Sequence, residues 1–221
     1  MRAAEHIRDT HKYGVVLVLV LAQFVVLSAG GDSLAVRITA AVLGAAMLIA
    51  VYLTSGVAVH VRQIAIGVAL AGVAAAFVSL SIGGSSAAGV SAVVSLLLVL
   101  TGAAGIARGI GVQPVIDRHT IAGALAIYLI IGLSYAYLYA TIAAFAEPNF
   151  FAGDREDTIA NFLYFSYVTQ ATLGYGDFVA ATRLGRTFAV TEALLGQLYL
   201  VTVVAVLVSN VGREKRQRFV S

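Results

Sequence analysis

Six separated apolar runs limit what this chain can fold into more than any other feature of it. They are roughly Tyr13 to Ala29, Ile38 to Val57, Ile64 to Ile82, Gly89 to Ala107, Thr120 to Ala146 and Thr187 to Val211. A helix needs about 20 apolar residues to cross a bilayer core, and each run is close to that length. Composition agrees: of 221 residues, 60% are hydrophobic and only 11% charged, and the mean hydropathy is +0.95. The expected fold class is therefore an all-α membrane protein with six transmembrane helices. Cysteine is absent, which excludes disulfides, thiolate metal sites and cysteine nucleophiles. The net charge of +3 does not point to nucleic acid, because the basic residues are scattered among span ends instead of gathered on one aromatic-rich face. No Gly-x-x-x-x-Gly-Lys loop is present, so a nucleotide-driven pump or other enzyme is not expected.

The basic residues set a topology. With the N-terminus in the cytoplasm, 10 of the 14 Lys and Arg residues lie inside, and Arg37, Arg155, Arg183 and Arg186 lie outside. That is the bias the positive-inside rule predicts for a multi-pass protein of the cell membrane with both termini cytoplasmic. Residues 1 to 30 also have the outline of a secretory signal peptide, with small residues at Ser28, Ala29 and Gly30. The length of the apolar run, with Glu5 and Asp9 in the leader, favours a retained span.

One connection is long. Glu147 to Arg186 is too polar at its start to span, yet apolar from Ile159 to Thr172, and it contains TQATLGYGDF, Thr169 to Phe178. It is expected to be re-entrant, a half-span helix followed by an extended return. At membrane depth, non-helical backbone is tolerated only where protein buries it or it lines a water-filled path. Gly174 and Gly176 can take left-handed dihedrals that side chains resist, which lets successive carbonyls face one side. The carbonyls of Thr172, Leu173, Gly174 and Tyr175, with the Thr172 hydroxyl below them, would form a ladder of oxygen ligands for a dehydrated cation. Neutral oxygens suit a monovalent ion that must also leave.

Thr172-Leu173-Gly174-Tyr175-Gly176-Asp177 resembles the selectivity filter of the potassium channel family, usually Thr-Val-Gly-Tyr-Gly-Asp, and Thr169 matches the threonine three places before it. The likeness extends over about Thr120 to Val211, with Thr182, Gly185 and Arg186 after the filter and Gly196 at the family's inner-helix hinge. It implies K+ as the permeant ion, held at Thr172, Leu173, Gly174 and Tyr175, with Gly176 completing the filter and Asp177 at its mouth. No cofactor is implied. Since the chain has a single filter segment, a closed cage implies four copies, most simply a homotetramer with cyclic symmetry. The resemblance places Tyr164 and Phe165 at the aromatic cuff where the family has tryptophan, Val168 where some members carry a buried glutamate, and Ala180 where many have proline. Leu173 replaces valine at a position that contributes its carbonyl to the pore.

The half-span helix has its own signals. Asp157 or Thr158 suits the N-cap, and Ile159, Phe162, Leu163, Phe165, Ser166 and Thr169 recur at helical spacing. Its C-terminal end points inward, so four such dipoles favour a cation in a central cavity. Asp154, Glu156 and Asp157 against Arg155 give a net negative outer mouth, ordinary solvated charges apart from Asp177. Glu192, inside the sixth run, is an intramembrane carboxylate; it could face the conduction path, but a bond behind the half-span helix to Gln170 or Thr169 is the favoured reading.

The division expected is residues 1–118 as a four-helix bundle, 119–212 as a pore domain and 213–221 as a short basic tail. The layout resembles that of voltage-gated channels, but the fourth run carries no charged residue, and only Arg108 follows it. Each elementary charge moved through the field is worth about 2.3 kcal/mol per 100 mV, so steep voltage gating is not expected of this bundle. Its small residues, Gly67 with Ala71 and Gly72 with Ala76, fit close helix packing. His6, His11, His60 and His119 lie at predicted cytoplasmic edges, as ordinary interfacial polar residues. Arg213, Lys215, Arg216 and Arg218 are placed to meet anionic lipid headgroups. With about ten residues after Val211, a cytosolic ligand-binding domain is not expected from this sequence, and the opening stimulus has no signal in it. The principal expectation is a potassium-selective channel. Its alternatives are a weakly selective monovalent cation channel and a non-conducting membrane scaffold that keeps the pore sequence.

Overall fold

The computed structural model describes residues 12–31, 33–54, 59–82, 85–111, 118–145 and 149–205. The apolar runs become helices: α1 Lys12–Ala29, α2 Leu34–Thr54, α3 Val59–Ile82, α4 Ser85–Gly111 and α5 Arg118–Phe145. The re-entrant segment supplies α6, Ile159–Gln170, and the last run supplies α7, Arg183–Tyr199, continued by a π-helical turn over Leu200–Val204. Three helices among the described residues are long and apolar enough to cross a membrane, at Ala35–Tyr52, Ala88–Arg108 and Thr120–Phe145, and Tyr13–Ala29 is a shorter apolar helix. The expected sixth run continues to Val211, past the described residues. His6, His11 and the basic tail Arg213, Lys215, Arg216 and Arg218 also lie outside them, as do the side chains of His60 and His119.

Consecutive helices pack as neighbours, and α1 closes the bundle by lying against both α2 and α5. Glycines set the closest approaches. A side chain at Gly72 of α3 would meet Leu98, one at Gly102 would meet Met47, and one at Gly105 would meet Val51. These are the small-residue contacts by which helices approach in lipid. Gly67, expected to do the same, has nothing within 4 Å of the place a Cβ would occupy.

Among the described residues a buried cluster runs from Val16, Val20, Met47 and Ile106 in the first four helices to Ile130, Leu133, Phe150 and Leu163 in α5, α6 and the segment between them. The first four helices are therefore packed on α5 and α6 of the same chain. Phe24 of α1 meets Tyr167 of α6 edge-on at 4.8 Å between ring centres. Apolar side chains such as Val18, Leu21, Ile64, Leu70 and Leu97 are exposed, as lipid-facing residues would be.

Candidate functional site

The site is the loop between α6 and α7, and its frame starts at the outer edge. Thr158 caps α6, its hydroxyl accepting from the Asn161 amide at 3.2 Å. Asp157, the other cap expected, accepts instead from the Phe150 amide at 2.9 Å. Thr182 caps α7 by accepting from the Gly185 amide. The two approaches to the loop are tied together. Ala152 donates to the Val179 carbonyl and Ala181 to the Phe150 carbonyl, a short antiparallel bridge between Phe151 and Ala180. Arg186 Nε donates to the Ala180 carbonyl at 3.0 Å.

From Ala171 to Asp177 every residue is exposed in the single chain. Thr172, Gly174 and Gly176 have φ of 56°, 56° and 79°, whereas Leu173 and Tyr175 between them do not have positive φ. Alternating handedness is the backbone pattern that turns successive peptide dipoles the same way. For the two glycines it costs little. For Thr172, a β-branched residue, left-handed φ is a genuine outlier, of the kind that costs about 1–3 kcal/mol and gathers at functional sites. The Thr172 amide donates to the Thr169 carbonyl and the Leu173 amide to the Val168 carbonyl, each at 2.9 Å, so the lower loop is anchored on the end of α6. Gln197 of α7 approaches from below, its Nε2 lying 3.4 Å from the Thr172 hydroxyl.

The residues around the loop divide between two tasks. Tyr164 reaches over the mouth and donates its hydroxyl to Asp177 at 2.8 Å. Phe165 turns the other way and is buried in an aromatic cluster, 5.2 Å from Tyr139 and 5.6 Å from Phe151 between ring centres. Thr169 lends its carbonyl to the Thr172 amide.

Behind α6, three side chains to which the sequence assigns no such role pin it to α5. Ser166 donates to the Gly132 carbonyl, Tyr167 to that of Leu129, and Gln170 to that of Tyr128, at 2.6, 2.6 and 2.8 Å. Their signal was available: polar groups at i, i+1 and i+4 on an apolar helix have to find partners.

Glu192 is fully buried, and its partners differ from those expected. Its carboxyl oxygens meet Ser166 Oγ at 2.5 Å and the Tyr139 hydroxyl at 2.6 Å, not Gln170 or Thr169. The reason is register. α6 and α7 run side by side in the same direction, with Ser166 beside Glu192 and, one turn further along, Gln170 beside Gly196. Gly196 is itself helical, and a Cβ there would stand 2.8 Å from the Gln170 carbonyl oxygen. It is a close-packing position here, and the departure from α-helical geometry comes later, at Leu200–Val204.

A membrane helix bundle whose last two helices enclose a glycine-bearing re-entrant loop is the class that fold and site define. Residues 123–213 match a family model described as an ion channel. The chain is 37% identical over 87 residues to the A-type voltage-gated potassium channel KCND3 of Rattus norvegicus and to that of Homo sapiens, a match covering 39% of this chain and 13% of each relative. It is 34% identical over 87 residues to the potassium voltage-gated channel protein Shal of Drosophila melanogaster, covering 39% of the chain and 15% of the relative. The matched stretch thus spans only a small part of these relatives' length. No solved structure matches the chain. Over residues 123–213 the chain is thus similar to ion channels, and over 87 residues to voltage-gated potassium channels.

Proposed function

We propose that four copies of this chain, six spans each, assemble around an axis and conduct K+ passively and selectively through the Thr172–Gly176 loops. The observation that carries this reading is the alternation of left-handed φ at Thr172, Gly174 and Gly176 in a loop that α6 and α7 hold at both ends. Four such strands would present rings of carbonyls in place of the ion's hydration shell. The ligands are the carbonyls of Thr172, Leu173, Gly174 and Tyr175 with the Thr172 hydroxyl, and Asp177, fixed by Tyr164, marks the outer mouth.

Two features favour assembly. Leu173 and Tyr175 leave 57% and 66% of their surface exposed in one chain, an unusual state for apolar and aromatic side chains flanking a strained loop. In addition, α7 buries only Gly185, Glu192 and Gly196, leaving Val190, Leu194, Leu198 and Val201 uncovered for neighbouring copies. A homotetramer in the plasma membrane with cytoplasmic termini is the simplest arrangement. The Arg213, Lys215, Arg216 and Arg218 tail would then meet anionic lipid on the inner face.

The reading is tested by 86Rb+ or K+ uptake into vesicles holding the purified protein. Barium-sensitive uptake that Gly174→Ala abolishes supports it. Uptake indifferent to barium, or unchanged by that substitution, contradicts it.

A further inference from the structure

We propose that Glu192 carries its proton at neutral pH and works as a neutral hydrogen-bond donor, a positioning residue that clamps α7 to the pore helix. The assignment follows from a count of protons. Ser166 Oγ lies 2.6 Å from the Gly132 carbonyl oxygen and 2.5 Å from Glu192 Oε1, and the Tyr139 hydroxyl lies 2.6 Å from Glu192 Oε2. Each of these oxygen–oxygen contacts is hydrogen-bond length and needs a proton in it. A carbonyl only accepts, so the Gly132 contact takes the Ser166 proton, and Tyr139 supplies the one facing Oε2. The contact between Ser166 and Glu192 then has one remaining source, the carboxyl group itself. Turning the Ser166 proton toward Glu192 does not escape this, because two bare oxygens would face each other at Gly132. An ionised Glu192 would leave one of the three contacts repulsive.

The surroundings fit a neutral acid. Glu192 is 0% exposed. The titratable groups facing it are Tyr139 and Tyr128 from α5 and Tyr167 from α6, all neutral, and the nearest cation on its own helix, Arg186, is exposed near the helix start. Among the described residues no cation offsets a buried carboxylate here, whose charge would be costly at this depth. The resulting chain of donors runs from α7 through Ser166 of α6 to the Gly132 carbonyl of α5. It joins all three pore-forming helices at one level, four residues before Gln170 and six before Thr172.

When the proton leaves, Ser166 and Glu192 repel and the seam between α6 and α7 loosens beneath the filter. On the conducting reading proposed above, K+ flux is therefore lost at alkaline pH. The test uses the full chain in lipid vesicles. Infrared spectra are expected to hold the carbonyl stretch of a protonated carboxylic acid at neutral pH, absent from Glu192→Gln and titrating away on alkalinisation of the wild type. A neutral-pH spectrum without that band, or with a band that Glu192→Gln leaves in place, overturns the proposal. In parallel flux measurements, Glu192→Gln, whose amide both donates and accepts, rescues conduction that Glu192→Ala loses, and removes the alkaline fall. That fall in the wild type is about tenfold per pH unit above the titration point. A wild-type flux level across the alkaline range, or a folded Glu192→Gln as defective as Glu192→Ala, also overturns it. If the acid band is present and titrates but no form conducts, the conducting reading fails while the protonated clamp stands.

Discussion

At the residue scale, backbone handedness decides whether the loop can hold an ion. Gly174 has open space around a hypothetical Cβ, so Gly174→Ala meets no neighbour. What it meets is φ of 56°, where an L side chain costs about 1–2 kcal/mol, multiplied by four in a symmetric assembly. Gly174→Ala is accordingly expected to abolish selective flux while leaving helix content by circular dichroism intact. Tyr164→Phe keeps the ring packed on Phe178 but removes the donor to Asp177. Its expected outcome is a channel that opens yet loses current faster under sustained recording, measured as the decay of a macroscopic current against wild type. The two glycines were legible in the sequence, because only glycine sits easily at positive φ. Thr172 was not, since nothing in a threonine announces left-handed backbone. Nor were Ser166 and Tyr139 as the partners of Glu192, because a buried carboxylate predicts that partners exist without saying which.

At the scale of elements, what matters is the register of α6 against α7 and α5. The existence of the helices could be read from apolar run length, and the cap of α6 narrowed to Asp157 or Thr158 from residue type, whereas the cap at Thr182 was not read from the sequence. Register could not, because it is fixed by a few close approaches whose partners lie far apart in sequence. Gly196 shows how it is decided. Alanine is favoured over glycine in a helix by about 1 kcal/mol, but here the added methyl would press on the Gln170 backbone, and overpacking costs about 1–3 kcal/mol. Gly196→Ala should therefore lower the thermal midpoint of the detergent-solubilised protein. A glycine kept only for bending would give an unchanged or higher midpoint. Gly132→Ala should destabilise through the same seam, since its methyl would collide with Gln170 Oε1 and the Tyr167 ring.

At the scale of the whole molecule, the bundle and the pore segment share one buried core, with α1 on the pore helix and α4 on α5. The bundle is therefore packed against the segment proposed to form the pore, but α4 offers the field no charge between Ser85 and Ala107. Conductance is expected to vary with voltage far less steeply than the several gating charges per subunit of an arginine-bearing sensor would produce. Stepped-voltage recording of the reconstituted protein checks this, and a steep sigmoid conductance curve would contradict it. The most direct test of selective conduction is the reversal potential of single channels in a planar bilayer with K+ on one side and Na+ on the other. A carbonyl-lined filter at Thr172–Gly176 predicts reversal far toward the potassium equilibrium potential. Reversal near zero would contradict it.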